Sequence, residues 1–475
     1  MPIDLDDMFT TLGRHADTIP LAPAEQARRR GRQRTRTRAV IAAAAAVCLV
    51  TAGTGAVIAR HDRQTAPPTS KRGLPTVGAP VEFGDQARAA TEAGADGRLY
   101  TAWQTLNGQI SMNAVDLRTG AVAWPARQLG SRTDTLQAVN ALPQALVVIL
   151  GHPEGAESDS TMYVFDPADG RQRWTSALGA GDEYVPHESG LVLASAKTGR
   201  TEAFDWVSGA RRWQLPAPAD RPARTVGTYV DRNEDFMLGR PFVFTDDRLV
   251  QVTRAGKVQV RDITTGELRR TVTAAPPDTD PRTYLAYDGW LYNDEHECCE
   301  ANGYRIRATD LRTGQGGTKV VFTRGPGHQL DMLQMCGDLR VCVTDRDRAG
   351  RTTVSVLDLA TGRQLWQATP AQEAGSVATV HGYTLVGGAS GDRVVYDRDG
   401  KRVFSTPASS VTWLDVNTLL LLPALVAGPA SKVTLPDGRV TVLGEVPPAS
   451  DACAWTPARL ACPTGTSLRI WSLTG

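Results

Sequence analysis

The chain has 475 residues, with 52 basic against 51 acidic side chains and a formal net charge of +1. That balance provides no field to steer a nucleic acid, so nucleic-acid binding is not expected. A hydrophobic content of 41% suits one large soluble domain. The bias toward alanine, arginine and glycine suggests a genome of high GC content, as in an actinobacterium.

In chain order, Asp4 stands as a candidate N-cap ahead of Leu5, Met8, Phe9, Leu12, Ala16 and Ile19, which recur at helical spacing. Residues 4–19 are therefore a candidate amphipathic helix, for a cytoplasmic partner or the inner leaflet; a marginally ordered tail is the plainer alternative. Seven arginines follow between Arg28 and Arg38, then an uncharged stretch from Ala39 to Ala59. As a helix that stretch is about 31 Å long, the thickness of a bilayer core. The arginines ahead of it place residues 1–38 in the cytoplasm and everything after residue 59 outside the plasma membrane. Two alternatives compete. A cleavable signal ending at Val57–Ala59 needs an unusually long leader, and a lipoprotein anchored at Cys48 needs a better lipobox than Ala45–Val47. Residues 60–78, rich in Pro, Thr and charge, read as a linker, and residues 79–475 as the main domain.

That domain is a repeat. VDLRTGAVAW ends at Trp124, FDPADGRQRW at Trp174, FDWVSGARRW at Trp213 and LDLATGRQLW at Trp366. Weaker copies surround Gly266, Gly314, Gly400 and Gly438, and the chain stops in IWSLTG at Gly475. In the strong copies Asp116, Asp166, Asp205 and Asp358 close a strand and accept backbone hydrogen bonds. Gly120, Gly170, Gly209 and Gly362 supply the positive φ of a tight turn. Four residues after each glycine stands Trp124, Trp174, Trp213 or Trp366, expected to wedge between neighbouring units as packing rather than to form a ligand cage. The turn glycines are 37 to 57 residues apart, about one four-stranded sheet per period. Between them run strand-like segments such as ALVVILG (Ala145–Gly151) and no convincing helix. Radial repetition into an all-β propeller avoids the long exposed edges of an open sheet.

The motif (V/L)DxxTGxxxW, repeated through residues 80–475, resembles that of the pyrroloquinoline-quinone-type β-propeller family, which includes quinoprotein dehydrogenases, an outer-membrane assembly lipoprotein and actinobacterial membrane-anchored proteins. The resemblance implies eight four-stranded blades, which follow the single transmembrane helix read at residues 39–59. Nine turn signals leave nine blades open, with Ala79–Asp85 supplying the last fourth strand and so pairing the start of the domain with its end.

Six cysteines follow the apolar stretch, an even number that fits an oxidising compartment. Cys336 and Cys342 flank GDLRV, and Cys453 and Cys462 flank AWTPARLA, so each pair faces itself across a hairpin between the first two strands of a blade. The remaining pair lies in DEHECCEANG, where a vicinal Cys298–Cys299 disulfide is expected. Asp294, Glu295, His296, Glu297 and Glu300 add ligand types, but successive residues on an extended chain point to opposite faces, so no metal site is assigned. Some quinoprotein dehydrogenases place an adjacent-cysteine ring against their cofactor. Here the pair precedes a third strand rather than a first, and the family's calcium ligands and catalytic aspartate find no match.

No Walker loop, GxSxG elbow or HExxH motif appears, and no catalytic, cofactor-binding or metal residue is assigned. Three classes remain, in this order. The first is a non-catalytic scaffold with loops for protein or cell-wall ligands, the second a sensor reporting through the cytoplasmic segment, and the third a quinone-dependent oxidoreductase.

Overall fold

The computed structural model describes residues 73–152, 159–216, 222–230, 243–253, 255–274, 283–296, 303–314, 317–369, 374–388, 392–407, 409–449 and 452–474. The candidate helix at 4–19, the arginine run and the apolar stretch 39–59 lie outside these residues. Among the described residues the structure is all-β, with 36 strands from β1 (Val81–Glu82) to β36 (Ser467–Ser472), and no helix is long and apolar enough to cross a membrane.

The first blade shows the plan. Strands β2 (Ala87–Ala93), β3 (Arg98–Thr105), β4 (Ile110–Asp116) and β5 (Val122–Leu129) form an antiparallel meander in which each pairs with the next. Hydrogen bonding groups the strands into eight sheets, the number of blades expected. Seven contain four strands. The eighth contains two meanders, joined where β14 (Pro222–Tyr229) and β18 (Tyr284–Tyr287) pair in parallel through Thr228↔Ala286 and Tyr229↔Tyr287. Counted as four-stranded units among the described residues there are nine, the number that the turn glycines leave open.

First strands lie innermost because neighbouring ones reach each other. Besides the β14–β18 pairing, Glu92 of β2 accepts the backbone N–H of Ala141 in β6 (Thr135–Ala141) at 2.6 Å. The Gln334 amide in β22 (His328–Met335) likewise donates to the Val377 carbonyl of β26 (Ala374–Val380) at 2.8 Å. Each blade then buries both faces of its second strand against its neighbours, as in β7 (Leu146–Gly151), where every residue is buried, and some third strands are buried likewise. In β4 every residue from Ile110 to Val115 is buried, whereas β5 is mostly exposed. This is why second strands such as LVVILG read as continuous apolar runs rather than alternating ones.

Nine apolar clusters among the described residues each span two successive units. One joins Leu99, Trp103 and Val115 of the first blade to Ala461, Leu468 and Ile470 of the last, so the ring is closed. Closure is also made through the backbone. β1 pairs with β36 through Val81↔Leu468 and Glu82↔Ser467, as the fourth-strand reading of Ala79–Asp85 requires. The preceding residues continue along the same edge, with Val77 N–H donating to Ile470 O at 2.8 Å and Ser472 N–H to Pro75 O at 2.8 Å.

Candidate functional site

The repeated residues are occupied in holding the ring together. The carboxylate of Asp116 accepts Thr119 N–H at 2.8 Å and its hydroxyl at 3.0 Å, while Gly120 N–H donates to the Asp116 carbonyl at 2.8 Å. Asp205 with Ser208 and Asp358 with Thr361 repeat the arrangement, and Asp166 accepts Ala168 N–H at 2.9 Å. These hydrogen bonds hold the four carboxyls below their ordinary range, chiefly through the backbone at Asp116, Asp166 and Asp205 and through the Thr361 hydroxyl at Asp358.

Gly120, Gly170, Gly209 and Gly362 have φ between +68° and +72°. None of the four has room for a Cβ, and at two of them the close neighbour is the tryptophan of the preceding blade, a demand invisible in the sequence. A Cβ on Gly170 would stand 2.8 Å from the Trp124 ring of the preceding blade, and one on Gly209 would stand 2.6 Å from Trp174. Each indole lies flat on the next blade's turn and donates to a carbonyl there, Trp124 to Pro167 at 3.3 Å and Trp174 to Trp206 at 3.1 Å. Trp213 stands in the same way against Gly266 and donates to Ile263 O at 3.1 Å. Trp366 packs on Gly400, but the turn from Asp397 to Gly400 is one residue shorter and its Arg398 carbonyl accepts Arg340 instead. The Trp366 N–H is buried without a partner. Gly314 differs from the strong copies, having neither a positive φ nor an atom within 4 Å of a Cβ position.

Cys336–Cys342 and Cys453–Cys462 are disulfides, with Cα–Cα distances of 5.5 and 4.3 Å. Both staple a first strand to a second, β22 to β23 (Arg340–Asp347) and β34 (Ala454–Thr456) to β35 (Arg459–Pro463), as expected. Cys298, Cys299, Glu297 and Glu300 lie outside the described residues. Asp294 and Glu295 are buried in β19 (Trp290–His296), where Asp294 accepts Thr283 N–H at 2.7 Å and Glu295 pairs with Arg307 at 3.2 Å. Among the described residues no cluster of three or more His, Cys, Asp or Glu side chains is placed to hold a metal ion.

Two networks escape a sequence reading. Asp345, fully buried, receives His328 Nδ1 at 2.7 Å, Arg324 Nε at 2.8 Å and the Tyr304 hydroxyl at 3.0 Å, tying the fifth and sixth blades together. Within the second blade, Asp134 binds His152 Nδ1 at 2.7 Å, and His152 Nε2 meets the Thr161 hydroxyl at 2.8 Å. The Asp134 carboxyl is desolvated, but hydrogen bonds from Ser131 and His152 outweigh this and hold it below its ordinary range.

A cavity of about 330 Å³ opens between the second and third blades and reaches the fourth. Leu142, Val147, Met162, Leu191, Trp206 and Phe244 form its apolar walls, and Asn140, Tyr184 and Tyr229 bring polar atoms. Its aromatic walls are held in place. Trp206 donates its indole N–H to His187 O at 2.8 Å, Phe244 N–H donates to Pro186 O at 2.8 Å, and Tyr229 meets Phe244 edge-on with ring centroids 4.8 Å apart. Burial raises the phenols of Tyr184 and Tyr229 above their ordinary range, so the lining is uncharged at neutral pH. Pyrroloquinoline quinone, with three carboxylates, does not fit the described walls, which offer it no cation.

Among solved structures the chain is similar to BamB from Moraxella catarrhalis, at 18% identity over 78% of this chain and 99% of that one, with a TM-score of 0.42. It is also similar to the computationally designed Ika8 protein, at 16% identity over 78% and 99% with a TM-score of 0.46, and to the C-terminal WD40 domain of Sif2, at 11% over 77% and 99% with 0.45. No curated protein sequence matches. The model of a PQQ-like repeat family, described as outer membrane protein assembly factor BamB, matches residues 107–315 and 350–442. This is more than half of the sequence, and the chain belongs to that β-propeller repeat family.

Proposed function

We propose that this protein is a non-catalytic binding propeller, held outside the plasma membrane by a helix at residues 39–59 and presenting its blades to a protein or cell-envelope ligand. One observation carries the reading. The Asp, Gly and Trp that define the repeat are consumed in turns and blade contacts, while the cavity between the second and third blades is apolar, aromatic and uncharged. Such walls suit recognition of a neutral group and offer no base poised near neutral pH. The family's description as an assembly factor agrees with a binding role.

Two measurements test it. Protease added to intact spheroplasts is expected to remove the propeller and leave the first 38 residues protected; a full-length band that survives until lysis contradicts the topology. Purified full-length protein mixed with pyrroloquinoline quinone and Ca²⁺ is expected to retain no quinone and to reduce no dye with simple alcohols. Stoichiometric retention with turnover, lost in Cys298→Ser and Cys299→Ser, makes the protein an oxidoreductase instead.

A further inference from the structure

Four features give the cavity between the second and third blades a definite chemistry. Its volume of about 330 Å³ lies at the lower end of the range for ligand pockets, about 300–1,000 Å³, which suits one ring system rather than a whole cofactor. Among the described residues its lining contains no Asp, Glu, Lys or Arg, so a charged group entering it would lose its hydration without an ionic partner there. The walls are flat rings already held by hydrogen bonds, Trp206 to His187 O and Phe244 to Pro186 O, with Trp174 stacked 6.3 Å behind Trp206. Aromatic rings so placed receive another ring edge-on or offset. Finally, the Asn140 amide and the Tyr184 hydroxyl make no hydrogen bond among the described residues, and Tyr184 remains 41% exposed. They are the groups left to read a donor or acceptor on whatever enters.

We propose that this cavity takes the aromatic side chain of a partner polypeptide, an indole or phenol whose N–H or O–H meets Asn140, with the partner's backbone outside. The inference rests on the binding reading and names its ligand. A polypeptide is the source because the cavity has room for one ring system, and a free molecule of that size has few atoms from which to draw affinity. A partner chain adds contacts beyond the rim, where aromatic anchors seated in pockets dominate binding.

The test uses full-length protein in detergent and fluorine NMR with three probes: blocked Ala-Trp-Ala carrying 5-fluorotryptophan, free 5-fluoroindole, and blocked Ala-Lys-Ala carrying a trifluoroacetyl N-terminal tag. The tryptophan peptide is expected to bind at least tenfold more tightly than the lysine peptide and more tightly than fluoroindole. Val147→Phe, which fills the cavity, should weaken it at least tenfold, and Asn140→Leu, which keeps the volume and removes the amide, several-fold. Tyr184→Ala, at an exposed position, gives a second reading should Val147→Phe fail to fold. Equal binding of the lysine peptide, or unchanged binding in Val147→Phe or Tyr184→Ala, overturns the proposal. Fluoroindole binding as tightly as the peptide overturns the polypeptide source. If no aromatic probe binds while a partner still cross-links to the propeller in cells, this inference fails and the binding reading stands.

Discussion

The first–second and second–third blade junctions begin alike and end differently. At the outer rim both lay an indole on a glycine turn, Trp124 on Gly170 and Trp174 on Gly209, and both donate the indole N–H to a carbonyl of that turn. At the inner end they part. The first junction packs Ala141 and Leu146 against Tyr100 and ties Glu92 to the Ala141 backbone. The second leaves about 330 Å³ between Asn140, Tyr184 and the walls around them. These two junctions thus share their rim contact and differ at their inner ends.

The rim can be broken most sharply at its glycines. Gly170→Ala combines a positive φ with a clash against Trp124 and should cost about 3–4 kcal/mol in denaturant unfolding. Gly84→Ala, at a φ of +84° with no atom within 4 Å, isolates the backbone strain and should cost only about 1–2 kcal/mol. Equal losses at the two positions would remove the docking of Trp124 from the account.

Disulfide removal comes next. The pairs are 6 and 9 residues apart, short loops, so Cys336→Ser with Cys342→Ser, or the same change at Cys453 and Cys462, should cost about 2–3 kcal/mol.

Asp, Gly and Trp were legible because turn closure is local: the aspartate and its glycine are four residues apart, and the tryptophan follows at four more. Hairpin disulfides were legible for the same reason. The stacking of Trp124 on a glycine 46 positions later was not, nor was the meeting of Tyr304, Arg324 and His328 at Asp345. The contacts of Trp124, Tyr304 and Arg324 pass between sheets, and the spacing of a motif carries no information about which side chains face one another across that gap; His328 reaches Asp345 from the neighbouring strand of the same sheet. The cavity belongs to this class too, since Asn140 and Tyr184 are ordinary residues until blade stacking brings them together. The nine four-stranded units were legible as nine turn signals, whereas the pairing of β14 with β18, which merges two of them into one sheet and leaves eight, was not.

Glu92 sharpens the comparison at the inner ends. Burial raises its carboxyl to about 7, with the Ala141 N–H opposing in part. A folded-state value above the unfolded one near 4.5 means that the folded protein holds the proton more tightly. The resulting stability is complete below about pH 4.5 and is lost as the pH rises through 7, with a slope of up to about 1.4 kcal/mol per unit. Glu92→Gln should flatten that part of the stability profile, whereas Asn140→Leu at the neighbouring junction should leave the profile unchanged. An unaltered slope in Glu92→Gln would assign the pH dependence elsewhere.

The smallest effect is expected at the indole N–H groups. Trp124→Phe abandons a hydrogen bond to Pro167, while Trp366→Phe removes a donor that has no partner, so the first should cost about 1 kcal/mol more than the second.

The claim that a ligand is met at the inner ends, and not at the rim, is tested most directly by photo-cross-linking in living cells. A photoreactive phenylalanine replaces Tyr184, 41% exposed beside the cavity, or Val440, 40% exposed on the outer strand β33 (Arg439–Val446). The account predicts a discrete cross-linked product from position 184 and none from position 440. Products of equal yield from both positions, or from Val440 alone, would contradict it.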